Sequence, residues 1–196
     1  MEALVLDLKK RYTYADYLLW ADDIRRELID GFINMMAGTS LTHGDVSRNI
    51  IRHLDGYTVK SRCDCKVFFA PIDVLLPKNG ETAADKIYDV VQPDIFVVCD
   101  NRWKGNNNAF LGAPDMVVEI LSPSNRKKDL IKKFLLYEKS GVREYWIADP
   151  EVKTVTAYIM QEDGEYNDGK AYHTGEKVPV HLFGGHLIDV KDIFDF

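Results

Sequence analysis

The sequence is short of cysteine, of excess positive charge and of long apolar runs, and each shortage closes off a class of protein. Three cysteines, Cys63, Cys65 and Cys99, form an odd set with one C-x-C pair, which fits neither a disulfide framework nor the usual spacing of a zinc site. Cys99 lies inside an apolar run and reads as a packed core thiol. A zinc site built on Cys63 and Cys65 lacks a second ligand pair of recognisable spacing. No stretch approaches the roughly 18 apolar residues of a membrane span, and the first 20 residues lack the basic start, apolar centre and small-residue cleavage site of a secretory signal. A soluble, cytoplasmic protein without a membrane partner is expected. With 25 Lys and Arg against 31 Asp and Glu, the net charge of −6 argues against broad affinity for nucleic acid. No repeat, low-complexity tract or linker interrupts the 196 residues, which read as a single domain, 1–196.

What is present is a succession of short elements with clear punctuation. Thr13 precedes an apolar-periodic stretch and predicts a short capped helix. RELIDGFINMMA (26–37) has Asp30-Gly31 between apolar runs, the signature of a tight β-hairpin. Glu27 stands in its first strand, where a lone acid ordinarily faces solvent. GTSLTHGDVSRNIIRHLDGY (38–57) has cap-type residues ahead of Val46, Ile50, Ile51 and Leu54, which repeat at helical spacing. His43, near the start of that helix, reads as a cap or surface residue because no metal-ligand partner stands at i+4.

CKVFFAPIDVLLP (65–77) predicts one strand with Asp73 inside it and an edge or bulge at Pro71, and residues 77–90 predict a polar surface loop. VQPDIFVVCD (91–100) and PDMVVEILS (114–122) predict buried strands separated by a loop. SPSNRKKDLIKKFLLYEKSG (122–141) predicts a helix capped by Ser124 or Asn125 and stopped by Gly141. VREYWIADP and TVTAYIMQ predict a strand pair, followed by hairpin turns and an apolar tail that docks. This order predicts an α/β or α+β fold, a mixed sheet flanked by helices.

Chemistry concentrates in residues 93–137. Alternation puts Asp115, Val117, Glu119 and Leu121 on one face of their strand. Glu119 is then an acid amid apolar neighbours, which requires a salt bridge, a helix N-terminus or a metal ion. Asp94, at the head of the preceding strand, can supply a second oxygen to a hard divalent cation. On the following helix Leu130, Phe134 and Tyr137 form one stripe, with Lys133 at its inward margin and Lys132 pointing away. Two readings of Lys133 stay open: a plain ion pair with Glu119 or Asp129, or an ammonium that orients a nucleophile and stabilises charge on phosphate. Residues 126–143 carry a local excess of five positive charges. Arg126, Lys127, Lys128 and Lys132 in this segment are candidate DNA phosphate contacts, against the plainer reading of a solvated helix face.

VQPDIFVV, GAPDMVVEILSPSN, the spaced trio Asp129, Lys133 and Tyr137, and GVREYWIADP together resemble the Uma-type restriction endonucleases of the PD-(D/E)XK nuclease superfamily. The likeness runs back to RELIDG and the Thr42-His43 helix start. It implies a restriction-endonuclease-like core, a metal-dependent DNA endonuclease with Mg²⁺ or Mn²⁺ as cofactor, and a homodimer, since one small site cuts one strand. Asp94 and Glu119 match the metal-binding acids of that superfamily, and Lys133 and Glu27 match further family positions of the catalytic set. The chain departs from the superfamily at Leu121, two residues after Glu119, where the motif lysine stands, so Lys133 has to supply that charge from the helix. The departure keeps a second class open, a non-catalytic DNA-binding or assembly module that retains the fold. A hydrolase for another phosphate substrate is a third.

Overall fold

In the computed structural model, residues 6–36, 38–104, 109–122 and 128–196 are described, with the backbone alone for 128 and 129. Thr13 closes a capping box with Asp16 and starts the one-turn helix α1 (Tyr14–Tyr17), as the pattern predicts. β1 (Arg26–Ile29) and β2 (Phe32–Met35) form the expected hairpin. Its turn residues Asp30 and Gly31 both take positive φ, 51° and 80°, which matches the right-handed twist of the strands. A β-carbon on Gly31 would lie 3.0 Å from the Tyr12 carbonyl oxygen and 3.0 Å from the Tyr88 ring. Gly31→Ala is therefore expected to destabilise the protein by at least about 1–2 kcal/mol, read as a lower urea midpoint with an unchanged slope.

Ser40 caps the 21-residue helix α2 (Leu41–Ser61) by accepting the His43 backbone N–H, and Val46, Ile50 and Leu54 are buried along its inner face. Then come β3 (Cys65–Phe69), β4 (Asp73–Leu75), β5 (Val90–Val91), β6 (Ile95–Cys99), β7 (Ala109–Leu111) and β8 (Met116–Ile120). Helix α3 (Lys128–Ser140) ends before Gly141, whose φ is 82°. After it run β9 (Glu144–Asp149), β10 (Thr154–Ile159), β11 (Lys170–His173), β12 (Lys177–Val180), β13 (His186–Asp189) and α4 (Val190–Ile193).

The strands make a six-stranded mixed sheet ordered β11-β10-β9-β8-β6-β3, a five-stranded sheet ordered β2-β1-β5-β4-β7, and the β12-β13 ribbon. Alternation along β8 sorts its side chains as predicted. Met116, Val118 and Ile120 join α2 and the C-terminal elements in one core, while Val117 joins Tyr137, Tyr145 and Val74 in the core on the other face. The tail docks through Val190, Ile193 and Phe194. The architecture is the expected mixed sheet flanked by helices.

Four local expectations change. Pro71 does not bulge one strand: after the cis Ala70-Pro71 bond the chain leaves the six-stranded sheet and enters the five-stranded one, so Asp73 begins a new strand. The loop at 77–90 has a polar outside, but Ile87 and Asp89 are buried, because the Asp89 carboxylate accepts the Asp30 N–H at the hairpin turn. The loop after β6 contains β7, which pairs in parallel with β4. Cys99 is not a free core thiol, for it forms a disulfide with Cys65, its cross-strand partner in β3, and Cys63 alone is free. An odd cysteine count hides one pair because strand register is invisible in spacing. The expected cap at Ser124 or Asn125 lies outside the described residues.

Candidate active site

Antiparallel pairing of β6 with β8 places Ile95 opposite Val118, so Asp94 and Glu119 fall one step further at the same level. Asp94 is tied to β8 directly, since its Oδ2 accepts the Ile120 backbone N–H at 2.7 Å. Glu119 is only 8% exposed. Above that face lies α3, and Lys133 projects from it with Nζ 2.9 Å from Glu119 Oε1. Tyr137, one turn later on the same helix face, donates its hydroxyl to that same oxygen at 2.7 Å.

The other sheet contributes Glu27. It is 1% exposed, and its Oε1 lies 2.8 Å from Lys133 Nζ. Asn34, directly across the hairpin, donates to Oε2, and the Gln92 backbone N–H donates to Oε1. Hairpin register thus decides that this strand acid faces inward, contrary to the ordinary expectation. The Lys133 ion pair with Glu119 and its position at the site prove to be one arrangement.

Three acids, Glu27, Asp94 and Glu119, share this space with the Lys133 ammonium. Burial pushes the Glu119 carboxyl up to about 7; Lys133 opposes the shift, and the charges of Asp94 and Glu27 add to it. Burial disfavours the Lys133 ammonium, but Glu119 and Glu27 outweigh it and raise its pKa above the ordinary lysine range. Burial and the field of Glu119 also hold the Tyr137 phenol protonated. His43 lies with Nε2 3.1 Å from Asp94 Oδ2. Burial lowers its basicity, yet the hydrogen bond and the charges of Asp94 and Glu119 leave its pKa raised.

Glu27, His43, Asp94, Glu119 and Lys133 line an open cleft whose empty space, mouth included, is about 710 Å³, and Tyr137 lies buried behind Glu119. Arg25 borders it, with Nε and Nη2 both donating to Gln92 Oε1. Among the described residues, no three His, Cys, Asp or Glu side chains gather closely enough to cage a metal ion by themselves. The donor chemistry still fits Mg²⁺ or Mn²⁺. Asp94 Oδ1 and Glu119 Oε2 take no hydrogen bond among the described residues, and Mg²⁺ typically binds one or two carboxylates and keeps several waters.

A family profile described as "Uma2: Putative restriction endonuclease" matches residues 14–190. The chain belongs to this family. The Uma2 chain is also similar to the protein slr1290 of Synechocystis sp. (strain ATCC 27184 / PCC 6803 / Kazusa), with 27% identity over 158 residues, 77% of this chain and 75% of that one. A solved structure described as a putative nuclease belonging to DUF820, from Anabaena variabilis ATCC 29413, superposes with a TM-score of 0.75 at 25% identity, covering 93% of this chain and 97% of that one.

The structure gathers Asp94, Glu119, Lys133 and Glu27, all four of the candidate catalytic residues, around one cleft. Lys132 is exposed on the outer face of α3, Lys128 is described only by its backbone, and Arg126 and Lys127 lie outside the described residues. Asp115 stands apart at the other end of β8, accepting the Cys99 N–H and pairing with Arg102 and Arg143. Asp73 accepts from Gln92 and Tyr17 beside the cleft. His43 is the residue that sequence reasoning undervalued. It precedes Val46, Ile50 and Leu54 by three, seven and eleven positions, so the helical period itself turns it inward.

Proposed function

We propose that this Uma2 chain hydrolyses phosphodiester bonds in DNA with the help of Mg²⁺ or Mn²⁺ held by Asp94 and Glu119. The single observation that carries the reading is the Lys133 ammonium, hydrogen-bonded to Glu119 and Glu27 in the cleft although Leu121 occupies the usual lysine position. When bound, the cation supplies positive charge that acidifies a coordinated water and screens phosphate. Asp94 and Glu119 offer it one unengaged oxygen each. Lys133, itself only 8% exposed at the wall of the cleft, stabilises the charge that grows on the phosphate oxygens. Glu27 positions that ammonium, and Tyr137 holds the Glu119 carboxylate in one orientation.

His43 anchors Asp94 from α2. Lys132, with the basic residues 126–128, follows the DNA backbone. One such site cuts one strand at a time, and a homodimer presents the two sites that a concerted double-strand cut uses. The test is nicking of supercoiled plasmid in Mn²⁺. Wild-type protein is expected to relax the plasmid, and Asp94→Ala and Glu119→Ala to lose at least about a hundredfold in rate. Equal nicking by the three proteins, or none by the wild type, overturns the proposal.

A further inference from the structure

An aromatic layer packs under α3, with the rings of Phe134, Tyr137, Tyr145, Tyr158 and Tyr166 in contact at centroid separations of 5.0 to 6.5 Å. Two of its hydroxyls have clear partners, Tyr137 on Glu119 Oε1 and Tyr166 on the Val142 carbonyl. Tyr145 differs. It is fully buried, and its hydroxyl has no hydrogen-bond partner among the described residues.

This phenol lines the cleft together with Asp94, Glu119 and Lys133. On β9 it pairs with Val117, two residues before Glu119, so it rises from the same sheet face. The charges of Glu119 and Asp94 both act on it. A buried hydroxyl without a partner is costly, and a phenylalanine would fill the same ring position without that cost. The unpartnered donor therefore calls for an acceptor, in the same cleft where Asp94 Oδ1 and Glu119 Oε2 are also unengaged.

We infer that the Tyr145 hydroxyl donates a hydrogen bond to a water molecule held between Asp94 and Glu119, and so orients that water for attack on phosphate. The attack rests on the nuclease reading above; the hydrogen bond does not. It makes Tyr145 a catalytic residue, because it touches the reacting oxygen. Its role differs from that of Tyr137, which acts through Glu119.

Tyr145→Phe removes the hydroxyl and keeps the ring. Metal-free crystals of the wild type are expected to show an ordered water about 2.7 Å from Tyr145 Oη and within hydrogen-bond reach of Asp94 or Glu119. The metal-free variant, which loses one hydrogen bond to a solvent ligand, is expected to melt within about 3 °C of the wild type. Its calorimetric Mn²⁺ affinity and its plasmid-nicking rate should each fall roughly tenfold or more. Absence of that water overturns the inference. So does a melting temperature lowered by several degrees, which would mark a structural partner for the hydroxyl, and so does a variant that binds Mn²⁺ and nicks like the wild type. A wild type that neither binds Mn²⁺ nor nicks refutes the nuclease reading, while the water and the melting temperature still decide whether Tyr145 holds a solvent ligand.

Discussion

Lys133→Met is expected to destabilise the protein by about 3–5 kcal/mol at pH 8 and to abolish DNA nicking. Methionine matches the lysine stem in length, so little packing is lost. What disappears is the ammonium between Glu27 and Glu119, at 2.8 Å and 2.9 Å. Two carboxylates, each no more than 8% exposed, would then face each other near Asp94 without a counter-charge. Acid should partly rescue the variant, because protonation removes the repulsion, so the loss measured by urea unfolding is expected to shrink from pH 8 to pH 5. Adding Glu27→Gln should recover a further part of the stability and none of the nicking. The double mutant thus separates the structural from the catalytic share of this lysine. If Lys133→Met is as stable as the wild type at pH 8, the ammonium does not hold the two acids together.

The second expectation concerns Glu119 and pH. Its folded-state pKa, pushed up to about 7, lies above that of an unfolded glutamate. The native state therefore keeps a proton over a pH range in which the unfolded chain has released it. Stability from this group is fully present below the unfolded pKa, near 4.3, and is lost as pH rises through about 7. Glu119→Gln imitates the protonated form at every pH. The stability of the metal-free wild type relative to Glu119→Gln is expected to fall by roughly 1–3 kcal/mol between pH 4.5 and 7.5. Mn²⁺ should reverse this trend, because a cation competes with the proton and its stabilising effect grows with pH. A difference that stays flat, or rises with pH, would mean that Glu119 is already ionised in the native protein at low pH.

Much of the site is local information read at the right period. Alternation along residues 114–121 separates Glu119 from Met116, Val118 and Ile120, and the helical period turns Lys133 inward and Lys132 outward. Both placements hold in the structure, because a one-residue slip of β8 would drive Glu119 into the apolar core around Met116, Val118 and Ile120, and a turn of α3 that brought Lys132 inward would expose its apolar stripe. The Asp30-Gly31 turn was legible for the same kind of reason, since positive φ at two successive residues restricts which side chains can stand there. Family resemblance supplied Glu27, which composition alone assigns to solvent.

Other features depend on which elements become neighbours. Pro71 could signal an irregularity but not a crossing from one sheet to the other. The Cys65–Cys99 pairing follows from β3 lying beside β6, and the His43 contact with Asp94 follows from where α2 crosses the sheet. By itself the sequence determined most of the elements, their buried faces and the acids and lysine offered to the cleft, because periodicity and capping act within a few residues; β7 and the break between β3 and β4 escaped it, being set by pairing across the chain. Only the tertiary structure decided that Glu27 and Glu119 share one ammonium and that the Tyr145 hydroxyl is left without a partner. Both are set by register and packing between segments far apart in the chain, which no local pattern encodes.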